Sequence, residues 1–432
     1  MNKQLTAARA QHKVSEKIKY RLVFLFSLIL IGMGLLLDPP LIILKGLWAI
    51  SISSSVLITD YIQIAGLGAA FVNSGLLTLL SVLLAKLNKV RMSGPLIAAL
   101  YTMSGFSFFG KTLLNSLPIT LGVFLFARLQ KKPFSSYIIV NLFGTALAPA
   151  VSVVAFGFGL PPFVGMLVGT LVGVVIGFVL PPLASHFLSF HQGFSLYNVG
   201  FTAGIIGMVF TAIMRLFNYD ISNVNHVSSG NNLLLASFLY ASFIGLLVIG
   251  WALNERSVKG YSRILKSSGK LVTDFIALEG YGLTLINMGI MGIAATSYVL
   301  LIGGQLSGAV LGGIYTVVGF SAYGVHLRNS IPIVLGVYLT SFLTGGDPNS
   351  ASVLLTTLFG TTLAPIAGYY GPVAGLLAGG LHMALVSNVG FLHGGINLYN
   401  NGFSGGFIAA FLVPILDSLV KIREGNKPEI RG

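Results

Sequence analysis

The sequence of 432 residues contains no cysteine, which excludes disulfide bonds, thiolate metal sites and a cysteine nucleophile. Charged residues are also scarce, at 8% of the chain, whereas a typical soluble domain carries about 25%. So few charges cannot cover the water-facing surface of a soluble protein of this size. The composition therefore predicts a protein whose surroundings are lipid.

Acidic residues are the rarer of the two charge types, since 11 Asp and Glu stand against 25 Lys and Arg. The chain also lacks an HExxH metal motif. With few carboxylates to act as acids, bases or ligands, we expect no enzyme activity, no catalytic residues, no cofactor and no bound metal. We also expect no site for ATP hydrolysis on this chain.

Apolar residues and glycine are abundant. Hydrophobic residues make up 55% of the chain, the mean hydropathy is +0.89, and 54 residues are Gly. Glycine lets membrane helices pack with their backbones close together. The net charge of +14 then has a simple explanation, because Lys and Arg collect in the cytoplasmic loops of membrane proteins. We expect a lipid bilayer as partner and no nucleic acid.

The chain contains two copies of one unit, which we call the repeats. Matching segments recur in the same order, and those in the first half of each unit lie 214 positions apart. Such a pattern indicates gene duplication. It delimits a basic tail at 1–21, a first repeat at 22–217, an external loop at 218–231, a second repeat at 232–422 and a tail at 423–432. The clearest pairs are Asn115–Pro118 with Asn329–Pro332, Phe143–Pro149 with Phe359–Pro365, and Leu196–Asn198 with Leu398–Asn400.

Each repeat contains about seven apolar segments, which predicts an all-α polytopic membrane protein. A helix needs about 20 residues to cross the hydrocarbon core, which is roughly 30 Å thick. The third and fourth segments of each repeat are shorter, so we expect broken or re-entrant helices there. The segments lie near 22–45, 62–85, 94–110, 116–129, 135–156, 162–188 and 196–216, and near 232–253, 276–302, 305–323, 330–344, 350–368, 371–388 and 396–420.

The basic residues predict that the two repeats are inserted in opposite orientations. In the first repeat, Lys and Arg occupy the loops 86–91 and 128–132, which we place in the cytoplasm. The equivalent loops of the second repeat, 303–305 and 345–347, contain neither residue type. An odd number of crossings per repeat produces this inversion. We expect a multi-pass protein of the bacterial inner membrane, with both termini in the cytoplasm.

Inverted repeats of this kind form transporters whose solute site lies near the middle of the membrane. We therefore predict a transporter or channel with a path for a small polar or anionic solute at the repeat interface. The two Asn-Ser-x-Pro motifs predict helix starts that converge there, and buried Asn and Tyr suit a polar path. Each motif also has a structural explanation, as a capped turn, an interhelical hydrogen bond or a kink. The residues predicted to line the path are Asn115, Ser116, Asn329, Ser330, Tyr197, Asn198, Tyr399, Asn400, Thr145 and Thr361.

A few charged side chains lie in or near the spans. Intramembrane carboxylates are functional candidates by default, and Glu279 has no counterpart in the first repeat, where Ala65 occupies the position. We predict that Glu279 couples transport to an ion or a proton, with a hydrated position at a segment end as the alternative. The hairpin tips carry Lys111, His326 and Arg328. If these residues face the path, they favour an anion or an oxygen-rich solute.

With these motifs, the chain resembles an uncharacterised family of bacterial multi-pass membrane proteins with two internal repeats. Locally it also resembles urea transporters, whose inverted repeats each carry a helix start after a Gly-rich segment and an aromatic-Asn pair downstream. The counterparts here are Asn115–Pro118 with Tyr197-Asn198, and Asn329–Pro332 with Tyr399-Asn400. That resemblance implies a narrow pore between stacked aromatic rings, and a homo-oligomer. The Leu-Pro…Thr-x-Pro-Phe signature of urea transporters has no counterpart after Asn198, so the likeness concerns architecture and not the solute.

Two other classes of function stay open. A membrane-embedded enzyme acting on a lipid would need clustered carboxylates or His residues near one interface. A structural membrane protein would need no path at all. A continuous polar cavity at the repeat interface would favour transport over both.

Overall fold

The computed structural model describes residues 14–219, 221 and 226–425. All regular elements within these ranges are helices, and ten of them are long and apolar enough to cross a membrane. The prediction of an all-α polytopic fold is therefore confirmed.

The helices of the two repeats follow one another in the same order. The first repeat contains α1 (Glu16–Leu37), α2 (Pro40–Ser51), α3 (Tyr61–Leu87), α4 (Gly94–Phe106), α5 (Leu113–Leu129), α6 (Phe134–Gly157), α7 (Pro162–Phe187) and α8 (Asn198–Leu216). The second repeat contains α9 (Asn232–Leu253), α10 (Tyr261–Lys266), α11 (Phe275–Glu279), α12 (Tyr281–Leu301), α13 (Gly308–Phe320), α14 (Leu327–Leu343), α15 (Ala351–Tyr370), α16 (Pro372–His393) and α17 (Asn400–Gly425).

Helix boundaries repeat with the same spacing as the sequence. Helices α4 and α13 both have 13 residues, and α5 and α14 both have 17. Gly66 bends α3 with a φ of 83°, and its counterpart Gly280 separates α11 from α12 with a φ of 90°. Only glycine adopts such a backbone conformation at little cost. Both repeats therefore have a glycine where the helix bends.

The first apolar segment is divided where the prediction near 22–45 had one helix. Helix α1 ends at Leu37, and a new helix begins after Pro39. Proline disfavours helical geometry in the residue before it, and it suits the first turn of the next helix. The two prolines at 39 and 40 thus end one helix and start another.

Helices α6 and α15 are broken at the matching Phe-Gly-Thr-x-Leu-Ala-Pro motifs, as expected. A 3-10 turn spans Thr145–Leu147 in α6 and Thr361–Leu363 in α15. In each turn the threonine hydroxyl donates to a carbonyl of the preceding helical turn, of Leu142 or Leu358, at 2.7 Å. Pro149 and Pro365 each remove a backbone donor just after the turn, and the threonine hydroxyl bonds the carbonyl three residues before it. These breaks lie in the protein interior.

Glycines form the closest helix contacts, and the same pairs form in each repeat. Helix α5 packs on α7 in the first repeat, and α14 packs on α16 in the second. Gly177 of α7 lies against the carbonyl of Ile119, and Gly379 of α16 lies against that of Ile333. Such contacts let backbones approach without side chains between them, which drives helix association in lipid.

Helices α4 and α13 run antiparallel to each other between the repeats. The start of each helix lies beside the end of the other, and their middles touch. Equivalent helices that pair antiparallel are related by a pseudo-two-fold axis across their length. Helices α8 and α17 cross on the same axis, where Gly200 lies against Gly402. The α4–α13 contacts are Gly94 with Ala322, Gly105 with Gly312, and Phe108 with Gly308.

Two aspartates tie the repeats together at the ends of this helix pair. Asp60 caps its own helix at Ile62 N (2.8 Å), and its other oxygen accepts from Gly308 N (3.0 Å) of the opposite repeat. Ser228 adds two further donors, from N at 2.9 Å and from Oγ at 2.6 Å. Asp274 reciprocates by accepting from Gly94 N at 3.1 Å. Both carboxylates therefore join the two repeats.

Replacing Asp60 with asparagine should destabilise the fold by roughly 2–4 kcal/mol, because several buried donors lose a charged acceptor. The apparent melting temperature in detergent, followed by intrinsic fluorescence, measures the effect. Asp274→Asn is the matched control. It should cost less, because Asp274 is partly exposed and Asp60 is fully buried. Equal melting temperatures for Asp60→Asn and the native protein would contradict this role.

Candidate functional site

A cavity of about 640 Å³, which we call the vestibule, enters the protein from one end. Its wall is formed by the start of α15, the end of α16 and the turn between α16 and α17, and is completed by Gln305, Val227 and Ile58. The loops predicted as external thus meet at one opening. No Asp, Glu, Lys or Arg lines the vestibule within the described residues, although Asn, Ser and Gln are frequent. The wall therefore offers hydrogen bonds without charge.

The floor of the vestibule is made by His393, Asn397 and Asn400, which are 1%, 0% and 8% exposed. Both ring nitrogens of His393, Nδ2 of Asn397 and Oδ1 of Asn400 have no hydrogen-bond partner among the described residues. The His393 ring faces Asn400 and the backbone of Gly204 without reaching hydrogen-bonding geometry with either. Buried polar groups are normally paired. The floor therefore concentrates free donors and acceptors where a solute would end its entry.

Six aromatic rings close the centre of the molecule beneath this floor, and we call them the aromatic cluster. Tyr197 and Tyr399, predicted as a pair, do lie together, with ring centroids 5.0 Å apart. Each tyrosine packs on a phenylalanine of the opposite repeat, Tyr197 on Phe320 at 4.5 Å and Tyr399 on Phe106 at 4.7 Å. Tilted and edge-on contacts of this kind are favourable. The remaining members are Phe143 and Phe359.

The two tyrosine hydroxyls of the aromatic cluster are also unpaired among the described residues. That of Tyr197 lies near Thr361, and that of Tyr399 lies near Thr102. Thr361 was predicted to line the path, and it adjoins the cluster. The cluster therefore combines a barrier of packed aromatic rings with two hydroxyls that can form further hydrogen bonds.

The Asn-Ser-x-Pro motifs lie elsewhere and do not converge, contrary to the expectation. They follow the ends of α4 and α13, and these ends lie at opposite ends of an antiparallel pair, about 20 Å apart for 13 helical residues. The helices also begin three residues earlier than predicted, with Thr112 and His326 as N-caps. The predicted helix starts are real, but the repeat interface is built from other residues.

The polar atoms of both motifs are used within their own repeats. Asn115 accepts from Thr112 N at 2.8 Å and donates to Ser152 Oγ at 2.9 Å. Asn329 accepts from His326 N at 2.9 Å and donates to the Gly324 carbonyl at 2.9 Å. These are capping boxes, which satisfy the free donors of a helix start. The adjacent hydroxyls are likewise occupied, that of Ser116 by Asn115 and that of Ser330 by the His326 carbonyl.

Lys111 is the one lysine of the described residues that is buried, at 1% exposure. Its Nζ contacts Thr145 Oγ1 and Met103 Sδ, and lies 3.4 Å from the Leu142 carbonyl. No carboxylate lies within 4.0 Å of this ammonium in the described part of the chain. Val325 occupies the equivalent position of the second repeat. A lysine amine without a carboxylate partner thus lies at the break of α6, in one repeat only of the described structure.

The other predicted charges are set apart from the vestibule. Glu279 ends α11 and forms an ion pair with Arg263, with Nε and Oε2 2.6 Å apart. His326 is buried as an N-cap, and its Nε2 lies 3.0 Å from the Ser267 carbonyl. Arg328 is exposed. None of the three lines the vestibule.

Two segments fit catalytic motifs that the sequence analysis did not take into account. Gly105–Thr112 has the spacing of a phosphate-binding loop, but it joins two helices, α4 and α5, whereas that motif requires a strand before the loop. The segment Gly402–Gly406 has the spacing of a nucleophile elbow, but it lies inside α17 and not at a strand-to-helix turn. Motif spacing without its structural context does not indicate catalysis.

The second of these segments nevertheless holds a chain of hydrogen bonds. Ser404 Oγ lies 3.1 Å from Nδ1 of His382, and Nε2 of His382 lies 3.1 Å from Asn401 Oδ1. Ser404 and His382 are fully buried, and neither lines the vestibule. The arrangement satisfies both nitrogens of a buried imidazole and joins α16 to α17.

Sequence reasoning missed Asn397 and the vestibule wall. Asn397 stands where the first repeat has Ser195, so a difference between the repeats marks it. The wall brings together segments more than 300 positions apart, such as Ile58 and Asn388, which no local pattern reveals. Of the predicted path residues, Asn400 lines the vestibule and the tyrosines form the cluster below it.

Comparison with known proteins gives one match. No curated protein and no solved structure matches the chain. A family model described as a protein of unknown function (DUF1576) matches residues 40–216 and 253–418. One matched region falls within each repeat, as the resemblance noted from the sequence implied. The chain therefore belongs to this family of proteins of unknown function, DUF1576.

Proposed function

We propose that the protein is a transporter or channel that moves a small polar solute across the membrane, along the interface between its two repeats. One observation carries the proposal: the vestibule ends on four unpaired polar atoms, directly above an aromatic cluster on the pseudo-two-fold axis. Unpaired polar atoms are costly in a membrane interior. A solute or its water shell would satisfy them.

The predicted opposite insertion of the repeats is in keeping with this path. The antiparallel pairing of α4 with α13 is the arrangement that inverted repeats require. Loops that the charges assign to the same side of the membrane also contact one another. At the vestibule end, His226 bonds to Ile58 and Gly304 accepts from Asn232. At the other end, Glu16 accepts from Met92 N beside the basic loop 86–91. We therefore place the vestibule on the outer face.

The solute is a neutral or anionic molecule and not a cation. The vestibule has no carboxylate to attract a cation, and Lys111 in its protonated form would repel one from the buried core. Charges interact strongly where the dielectric constant is low. A cation at the repeat interface would meet that repulsion without compensation.

The enzyme alternative has the Ser404–His382–Asn401 chain in its favour. A nucleophile must reach its substrate, however, and Ser404 is fully buried within a helix. No group of three His, Cys, Asp or Glu suited to a metal occurs among the described residues. Labelling of Ser404 by a fluorophosphonate probe would favour a hydrolase. The purely structural alternative leaves the vestibule unexplained.

A flux assay with purified protein in proteoliposomes tests the proposal. Urea, glycerol, chloride and rubidium cover neutral, anionic and cationic solutes of small size. We expect a neutral or anionic solute to enter faster than into empty liposomes. Asn400→Leu removes a floor acceptor and should slow that flux at least tenfold, since the site loses a desolvated hydrogen bond.

The matched control is Asn88→Leu, which makes the same exchange at the far end of α3, where the amide bonds only to its own helix at Leu84. It should transport as the native protein does. Equal flux through Asn400→Leu and the native protein, or entry of every solute at the rate of empty liposomes, would contradict the proposal.

A further inference from the structure

The three floor residues have counterparts in the first repeat, each 202 positions earlier. His393, Asn397 and Asn400 correspond to His191, Ser195 and Asn198. We call the first set the open triad and the second the closed triad. The inference below rests on the proposed function.

The residues of the closed triad form hydrogen bonds with one another and with neighbouring residues. His191 Nε2 lies 3.0 Å from Asn198 Oδ1, and Asn198 Nδ2 donates to the Ala184 carbonyl at 2.9 Å. Ser195 Oγ lies 3.2 Å from Thr362 Oγ1 of the other repeat. Nδ1 of His191 is the atom of this triad left without a partner in the described structure.

The open triad has the same histidine and asparagine but lacks those bonds. His393 and Asn400 face each other without bonding, and Asn397 uses its oxygen on Tyr399 N at 3.0 Å while its nitrogen stays unpaired. The vestibule reaches all three residues. Equivalent side chains are therefore seen in two hydrogen-bonding states within one molecule.

The backbone before the two triads also differs. Helix α16 continues through His393, whereas α7 ends at Phe187 and the equivalent residues 188–191 form turns. Unwinding these last residues brings His191 over Asn198. The two forms thus differ by one helical turn, a change that a helix end makes at small cost.

We propose that the triads are two alternating half-sites for one solute, and that the structure holds the outer half-site open and the inner half-site closed. Both repeats keep the histidine and the asparagine of the triad, so either repeat can adopt both arrangements and the molecule can exchange them. Exchange would close the outer triad by a His393–Asn400 bond and open the inner one. Solute would then meet one side of the aromatic cluster at a time, as in other inverted-repeat transporters.

The open triad also indicates the class of solute. Asn397 Nδ2 is a free donor, Asn400 Oδ1 is a free acceptor, and the imidazole can serve as either. The surrounding wall is uncharged. A small uncharged molecule with both donors and acceptors, such as a carboxamide or a polyol, matches this set.

Cysteine labelling tests the alternation, because the native chain has no cysteine. Val386 lines the vestibule, and its counterpart Ala184 is buried beside the closed triad. Val386→Cys should react with the membrane-impermeant reagent MTSET from the outer face, in intact cells. Ala184→Cys should stay protected from the inner face, in inverted vesicles. Adding His191→Ala should raise Ala184→Cys labelling about fivefold, the factor for one lost hydrogen bond, and lower that of Val386→Cys.

His393→Ala is the matched control, since it removes the same ring where no bond exists. It should leave Ala184→Cys protected. Two results would overturn the alternation. Labelling of Ala184→Cys does not change when His191→Ala is added, or it rises while labelling of Val386→Cys stays the same. A size-exclusion profile of every variant identifies misfolding. Misfolding caused by loss of a histidine ring would expose Ala184→Cys in the His393→Ala control as well. Labelling can be measured without transport. If His191→Ala leaves the labelling pattern unchanged while the protein still transports solute, the alternation is rejected and the proposed function is not.

Discussion

The Lys111→Met variant should admit cations that the native protein excludes. For a path roughly 10 Å from Lys111 and an effective dielectric constant of about 20, the protonated form repels a cation by about 1.7 kcal/mol, or a factor of roughly 15 in cation flux. Methionine preserves most of the side-chain volume, and Thr145 keeps its own bond to the Leu142 carbonyl. Because a buried charge is costly, its loss should not destabilise the fold.

The ratio of rubidium to chloride flux into proteoliposomes measures this change. Lys45→Met is the control, since it removes one positive charge from an exposed position on α2. It should leave the ratio unchanged. An unaltered ratio in Lys111→Met would show that the buried ammonium does not select the solute, and would leave the vestibule as a site for neutral molecules.

Gly177→Val should yield little or no folded protein. A side chain at this position would overlap the Ile119 carbonyl of α5, and no rotamer relieves the clash because the Cβ atom itself meets backbone atoms. We expect a loss of about 3 kcal/mol or more, a large fraction of the stability of a protein. Gly379→Val should behave in the same way, because Gly379 meets the Ile333 carbonyl.

Gly245→Val provides the matched control on α9, where a side chain would meet nothing within 4 Å. It should express and melt as the native protein does. The monodisperse fraction on size-exclusion chromatography and the apparent melting temperature report both outcomes. A native profile for Gly177→Val would mean that α5 and α7 pack more loosely than the contacts indicate.

Much of the architecture could be predicted because lipid imposes simple demands on a sequence. Spans must be apolar and helical, since no water is present to bond the backbone. Duplication then repeats the breaks, so that Gly66 and Gly280, and the turns at Thr145 and Thr361, occur in pairs. Local chemistry decides each of these features, and the sequence displays it directly.

The candidate site was predicted less well. Asn115 and Asn329 are strong helix-start residues, and a capping residue serves its own turn whether or not a solute passes nearby. Their position relative to each other depends on how α4 and α13 align, which is a contact between repeats. Tyr197 and Tyr399 were found as a pair because the repeat symmetry forces self-contact near its axis.

The sequence alone determined that this is a duplicated polytopic membrane protein and which loops carry the basic charge, because hydropathy and charge act over a few residues. Only the tertiary structure decided that the two triads differ, that Lys111 is buried without a carboxylate and that the vestibule ends on unpaired atoms. Those properties depend on which distant segments come together and on which of two similar hydrogen-bonding states each repeat adopts. The histidine and the asparagine that the two triads share support both states, so their presence in the sequence does not indicate which state each repeat adopts.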